Sequence, residues 1–134
     1  EALEKLSAEA KKYIAPLPID YEPDEEAAGM FGLMMMTSGK HTDPENVAKA
    51  QALKDATMGW FIAQNLKSKF VHLNGNYHSD FKKGIITYLN KYRPGLKIAT
   101  VCSVRQDDIK KLGEENEGRA DFYICVPTDM TMTY

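Results

Sequence analysis

The chain has 134 residues, of which 43% are apolar and 27% charged, and a net charge of −2; that is the size of one ordinary domain, with enough apolar residues for a core. A near-neutral, slightly acidic balance with scattered lysines argues against nucleic acid as the main partner, and no apolar run is long enough to span a bilayer. The first residues lack the basic-then-apolar pattern of a signal peptide, and an opening on Glu1 without methionine reads as a processed or excised piece, with any targeting segment upstream.

Taken in order, Leu3, Leu6, Ala10 and Tyr13 recur at helical intervals and predict a short helix over residues 1–13, stopped by Pro16 and Pro18. After an extended connector, Asp24-Glu25-Glu26 places negative charge where a helix N-terminus favours it, and a second helix is expected to run to about Met36. Met34, Met35 and Met36 point about 100° apart on such a helix, and with Met30, Phe31 and Leu33 they leave it apolar around most of its girth. Either it is sandwiched between two layers of its own domain, or a methionine faces a partner chain, a lid or a large flat ligand, surfaces that suit this flexible, polarisable side chain. Gly39 ends the helix, and His41 falls in a polar loop.

Asp43-Pro44-Glu45 is a strong helix start, Asp43 capping and Pro44 taking the first helical position. The helix should reach about Lys67, with an apolar face including Val47, Ala50, Leu53, Met58, Trp60, Phe61 and Leu66. Gln51 and Asp55, one turn apart, are expected to be half-exposed and hydrogen-bonded to a neighbouring loop.

Next come strand formers Phe70, Val71 and Leu73, turn residues Asn74-Gly75-Asn76, and apolar residues at Phe81, Ile85, Leu89 and Tyr92. They predict a strand, a tight turn and an amphipathic helix. Gly75 would supply positive φ or close backbone approach. His78 would sit at the first helical turn, near unsatisfied N–H groups and the positive end of the dipole, which favours a neutral imidazole with a free ring nitrogen. The plainer alternative is that His78 caps the helix or lines a crevice wall. Leu96–Cys102 reads as a second strand and Asp121–Val126 as a third, with a short helix near Asp107–Leu112 between them. Strand, helix and strand at this spacing form a parallel crossover, so Ser103–Gln106, Pro127 and Thr128 should share a rim with His78. Cys102 and Cys125 are expected to be small buried hydrophobes, or a disulfide in an oxidising compartment.

These elements predict an α/β fold: a small, mainly parallel sheet flanked by helices and preceded by a helical lead-in. One domain would hold the lead-in at residues 1–41 and the long helix with a βαβαβ unit at 42–134. Three parallel strands leave two bare edges, so the chain is expected to be the C-terminal part of a larger α/β domain or to be completed by an identical chain.

Tyr21, an apolar helix, Gln51-x-x-x-Asp55-x-x-Met58 in a long helix, Gly75-x-x-His78, Gly84 and Arg119-Ala120-Asp121-Phe122-Tyr123 ending at Pro127 together resemble the ChaN-like haem-binding uptake lipoproteins, in one superfamily with the Tiki proteases and erythromycin esterases. The resemblance covers almost the whole chain but only the later half of that family's domain; the earlier half would carry a companion Gly-Glu-x-His type motif. It departs from the pattern at Ser79-Asp80, where an apolar residue is expected, and in lacking a proline soon after Gly84.

The resemblance implies a non-enzymatic protein of the bacterial cell envelope, lipid-anchored through an upstream segment, that binds haem for uptake or trafficking between two identical chains. A haem site needs an apolar slot, an axial ligand and basic groups for the propionates. Gly75 and His78 carry over from the family's Gly-x-x-His motif; the Met30–Met36 helix, with Met34 and Met35, would wall the slot, His78, Tyr77, His41 or Tyr21 would approach the iron, and Arg105 would meet a propionate. Two other readings stand beside it. One is a metal-dependent hydrolase of the Tiki or erythromycin-esterase type, with His78 holding a divalent metal and the other ligands coming from the missing earlier half; the other is a non-catalytic, self-associating fragment.

Overall fold

The computed structural model describes residues 3–21 and 43–131. The expected Met-rich helix with Met34 and Met35, and His41 in the loop expected after it, lie outside the described residues. The chain divides into two compact units, residues 1–66 and 67–134.

In the first unit, α1 spans only Ala8–Lys11, with the Ser7 hydroxyl accepting from the Ala10 N–H at 3.1 Å. The predicted helix over 1–13 shortens because Lys12 and Tyr13 close it with three-residue bonds to Glu9 and Ala10 before Pro16. The lead-in then docks on the long helix α2, Pro44–Asn65: Ala15 is buried, and its N–H donates to the Thr57 hydroxyl at 3.2 Å. Asp43 caps α2 as expected, accepting from the Glu45 N–H at 3.0 Å.

The buried face of α2 differs from the predicted one. It runs through Ala48, Asp55, Ala56, Gly59, Ile62 and Ala63, while Val47, Leu53, Met58, Trp60 and Leu66 flank it half-buried and Phe61 and Ala50 are exposed. Small side chains at i, i+3 and i+7 (Ala56, Gly59 and Ala63) let a neighbouring segment approach the backbone, and bulkier residues then cover the sides. Asp55 is buried at 4% exposure, against the half-exposed expectation, and the buried Oε1 of Gln51 has no hydrogen-bond partner.

The second unit is α/β. After a stretch without regular secondary structure over 69–75, two turns of 3-10 helix, Asn76–His78 and Asp80–Lys82, lead into α3, Ile85–Tyr92. Strands β1, Val101–Arg105, and β2, Phe122–Val126, pair in parallel from Val101 opposite Phe122 to Arg105 opposite Val126. Ile85, Tyr88 and Leu89 on one face of α3, with Cys102 and Val104 from β1, supply this unit's buried apolar residues. Each large one contributes about 1.5–3 kcal/mol of burial. A small parallel sheet with helices before its strands is the predicted fold class.

Three details differ. Phe70–Leu73 forms no strand, so among the described residues the sheet has two strands; Phe70, Val71 and Leu73 are 51%, 83% and 88% exposed. The segment read as Leu96–Cys102 is a ladder only from Val101, because the Asp121 carboxylate takes the Thr100 N–H and hydroxyl, and β2 begins at Phe122. The short helix near Asp107–Leu112 is a loop wound around Gln106, whose amide donates to the Asp108 and Lys111 carbonyls and accepts from the Gly113 N–H. Both cysteines are free thiols; Cys102 stands opposite Tyr123, and Cys125 opposite Val104, so the two sit diagonally on the sheet.

Candidate functional site

The corner from Asn74 to Gly84 is built by short-range hydrogen bonds that its own side chains dictate. The Gly75 carbonyl accepts the His78 N–H at 3.0 Å and the Asn74 amide at 2.8 Å, and the same amide reaches the Ser79 hydroxyl at 3.0 Å. Asn76 fastens the corner to the sheet, donating to the Ser103 carbonyl at 2.9 Å. The rim expected at Ser103 is therefore beside Gly75–His78.

Gly75 works differently from expectation. Its φ is −68°, and a Cβ there would meet nothing within 4 Å, so neither positive φ nor close approach explains it. The left-handed residues are Phe81, Lys82 and Gly84, with φ of 56°, 58° and 55°. Nor is His78 at the head of an α-helix: it ends the 3-10 turn, seven residues before α3 begins at Ile85, so the dipole argument for its neutral form does not apply. Tyr77 and His78 are both half-buried, and their rings meet edge-on at 5.5 Å and 79°.

Two ion pairs hold the corner to the loop before β2. Arg119 donates to Asp80 Oδ2 from Nε at 3.0 Å and Nη2 at 2.5 Å, and to Asn116 Oδ1 from Nη1 at 2.7 Å. The hydrogen bond to Asp80 raises the guanidinium's proton affinity further. Asp80 Oδ1 receives the Cys102 thiol at 3.5 Å, and burial, then the Asp80 charge, push that thiol's pKa up, leaving a protonated, unreactive sulfur. Lys82 Nζ lies 2.6 Å from Asp121, whose carboxyl is lowered to about 2 chiefly by that lysine and then by the Thr100 N–H and hydroxyl. The Phe81 N–H donates to the Arg119 carbonyl at 2.8 Å.

Sequence reading missed these anchors, although it noted Ser79-Asp80 as a departure and Arg119-Ala120-Asp121 as a motif. The clue was charge: a lone acid beside the corner and an Arg-x-Asp facing it. Arg105 is at the sheet's carboxyl end, where its Nη2 donates to the Thr128 and Met130 carbonyls, and it is exposed. Tyr21 is half-buried in the first unit, close enough to Lys49 for its charge to add to the larger effect of Glu45 in raising that lysine's pKa.

The structure thus brings Gly75, Tyr77 and His78 together beside β1. Among the described residues, no group of three or more His, Cys, Asp or Glu side chains could hold a metal ion. The model of one protein family, "Haem-binding uptake, Tiki superfamily, ChaN", matches residues 1–89, two thirds of the chain. The chain belongs to that family. The match spans α1, α2, the corner and the first turn of α3 and stops short of β1, so the ChaN-like features seen at Arg119–Pro127 lie outside it. No curated protein and no solved structure gives a match. No described helix of this ChaN-family chain is long and apolar enough to cross a membrane.

Proposed function

We propose that this chain binds haem as cargo for iron uptake or trafficking at the bacterial cell envelope, with His78 as the protein's ligand to the iron. The observation that carries this reading is that a half-buried histidine, edge-on to Tyr77 and fastened to the sheet through Asn76, lies inside the span matched by the haem-uptake family. The donor set fits the group. A porphyrin supplies four of the iron's ligands, so the protein needs one or two axial donors, and imidazole and phenolate are both established ones. A bare divalent ion needs three or four protein ligands, so the hydrolase reading would draw the others from the earlier half of the family's domain.

In this reading His78 binds the iron and Tyr77 limits the swing of its ring. The Gly75 carbonyl holds the turn, and Arg105, with N–H groups beyond those given to Thr128 and Met130, meets a propionate. Two identical chains would enclose the cargo, with a lipid anchor upstream. Bound haem would contribute the iron that takes these donors.

A hemin titration followed by absorbance tests the proposal. Wild type is expected to give a saturable Soret band; His78→Ala should weaken binding at least about tenfold, the loss of roughly 1.4 kcal/mol, and Tyr77→Phe much less. Tight zinc or manganese binding with peptide or ester cleavage, and no Soret band, would favour the hydrolase reading.

A further inference from the structure

Two stretches of the second unit carry the contacts proposed for haem, and each contact lies between two ties. His78 stands between Asn76 and Asp80, and Arg105 between Ser103 and Gln106. At one end Asn76 donates directly to the Ser103 carbonyl at 2.9 Å. At the other end the link is a chain of side chains. Asp80 Oδ2 takes Arg119 Nε at 3.0 Å, Arg119 Nη1 donates to Asn116 Oδ1 at 2.7 Å, and Asn116 Nδ2 donates to Gln106 Oε1 at 3.5 Å. Asn116 and Gln106 are both buried, so their polar groups depend on one another rather than on solvent. Gln106 in turn fixes the loop that follows it, donating to the Lys111 carbonyl at 2.6 Å and accepting from the Gly113 N–H at 3.1 Å.

We infer that Arg119 and Asn116 are positioning residues: through Asp80 and Gln106 they hold His78 and Arg105 at a fixed separation, so that one haem meets an iron ligand and a propionate contact together. The inference rests on the reading proposed above. When two contacts are carried on one rigid frame, the second forms at high effective concentration, and a loosened frame loses that advantage although neither contact is altered. A guanidinium suits the central place, since its planar fork reaches Asp80 and Asn116 at once, whereas an ammonium is a point charge. Both positioning residues lie beyond residue 89, where the family match ends. The matched span therefore holds the iron ligand, and the remainder of the chain supplies what orients it.

A double-mutant cycle in the full chain, read by hemin titration, tests this. Arg105→Ala alone should weaken hemin binding about tenfold, and in the Arg119→Lys background less than about twofold, because contacts no longer held together stop supporting each other. Arg119→Lys keeps the charge beside Asp80, and circular dichroism with urea unfolding checks that it folds; Asn116→Ser opens the chain of bonds at its next link and should give the same cycle. A role in stability alone would leave the Arg105→Ala loss unchanged. Without hemin, Arg119→Lys should speed hydrogen exchange both at the His78 amide, bonded to the Gly75 carbonyl, and at the Gly113 amide, bonded to Gln106. Where wild type gives a saturable Soret band, an equal Arg105→Ala loss in both backgrounds, no such loss in wild type, or faster exchange at only one of the two amides would overturn the inference and leave the haem reading standing. No saturable Soret band from wild type would fail that reading and this inference with it.

Discussion

The Asp80 carboxylate takes donors from two distant stretches of chain: Arg119 Nε and Nη2 on one oxygen and the Cys102 thiol on the other. With side chains 16% and 24% exposed, the pair is sheltered enough for a charge-assisted hydrogen bond to matter. Asp80→Asn should cost about 1–3 kcal/mol in urea unfolding, and Gly75→Ala, at negative φ with open space around its Cβ, should stay within about 0.5 kcal/mol. Asp121 gives a pH signature. Its carboxyl, about 2 when folded against an ordinary 3.8, binds a proton less readily in the folded state, so it stabilises fully above the ordinary value and loses that contribution as pH falls from about 4 towards 2. The urea midpoint should fall across that window in wild type, and Asp121→Asn should flatten this part of the profile.

At the scale of elements, the turn from Ser79 to Gly84 concentrates strain. Two successive non-glycine residues, Phe81 and Lys82, hold positive φ, each at a cost of about 1–2 kcal/mol; the Arg119 carbonyl on the Phe81 N–H and the Asp121 carboxylate on Lys82 hold them there. A sign test follows. In an ordinary helix alanine is more stable than glycine by about 1 kcal/mol, whereas at residue 81 the order should reverse, with Phe81→Gly more stable than Phe81→Ala by about 1 kcal/mol in thermal unfolding. The ring itself is 55% exposed, so both variants lose similar packing.

Across the whole molecule, the sequence made legible what depends on local signals. The Asp43-Pro44 start of α2 and the strand formers of Phe122–Val126 fall where their patterns put them, while the helix read from Phe81 begins only at Ile85, after a turn in which Phe81 holds positive φ. It misled where a partner decides. Phe70–Leu73 has strand propensity but no ladder, and the Gln106 side chain, not propensity, shapes the loop after β1. On α2, alanines and Gly59 are buried ahead of larger apolar residues because close approach is a property of the neighbour. At the candidate site, Gly75-x-x-His78 could be found from residue types alone, while its tie through Asn76 and its bracing by Asp80 and Arg119 required distances between residues 27 and 39 positions apart. The central claim is that the imidazole of residue 78 reaches haem iron, and cavity rescue addresses it most directly: ferric spectra of His78→Gly with hemin, recorded with and without free imidazole. Our account predicts that the variant loses the wild-type Soret position and that millimolar imidazole restores it, since the small ligand occupies the space the side chain left. A wild-type spectrum in His78→Gly before any imidazole is added would contradict the account and move the iron to another ligand.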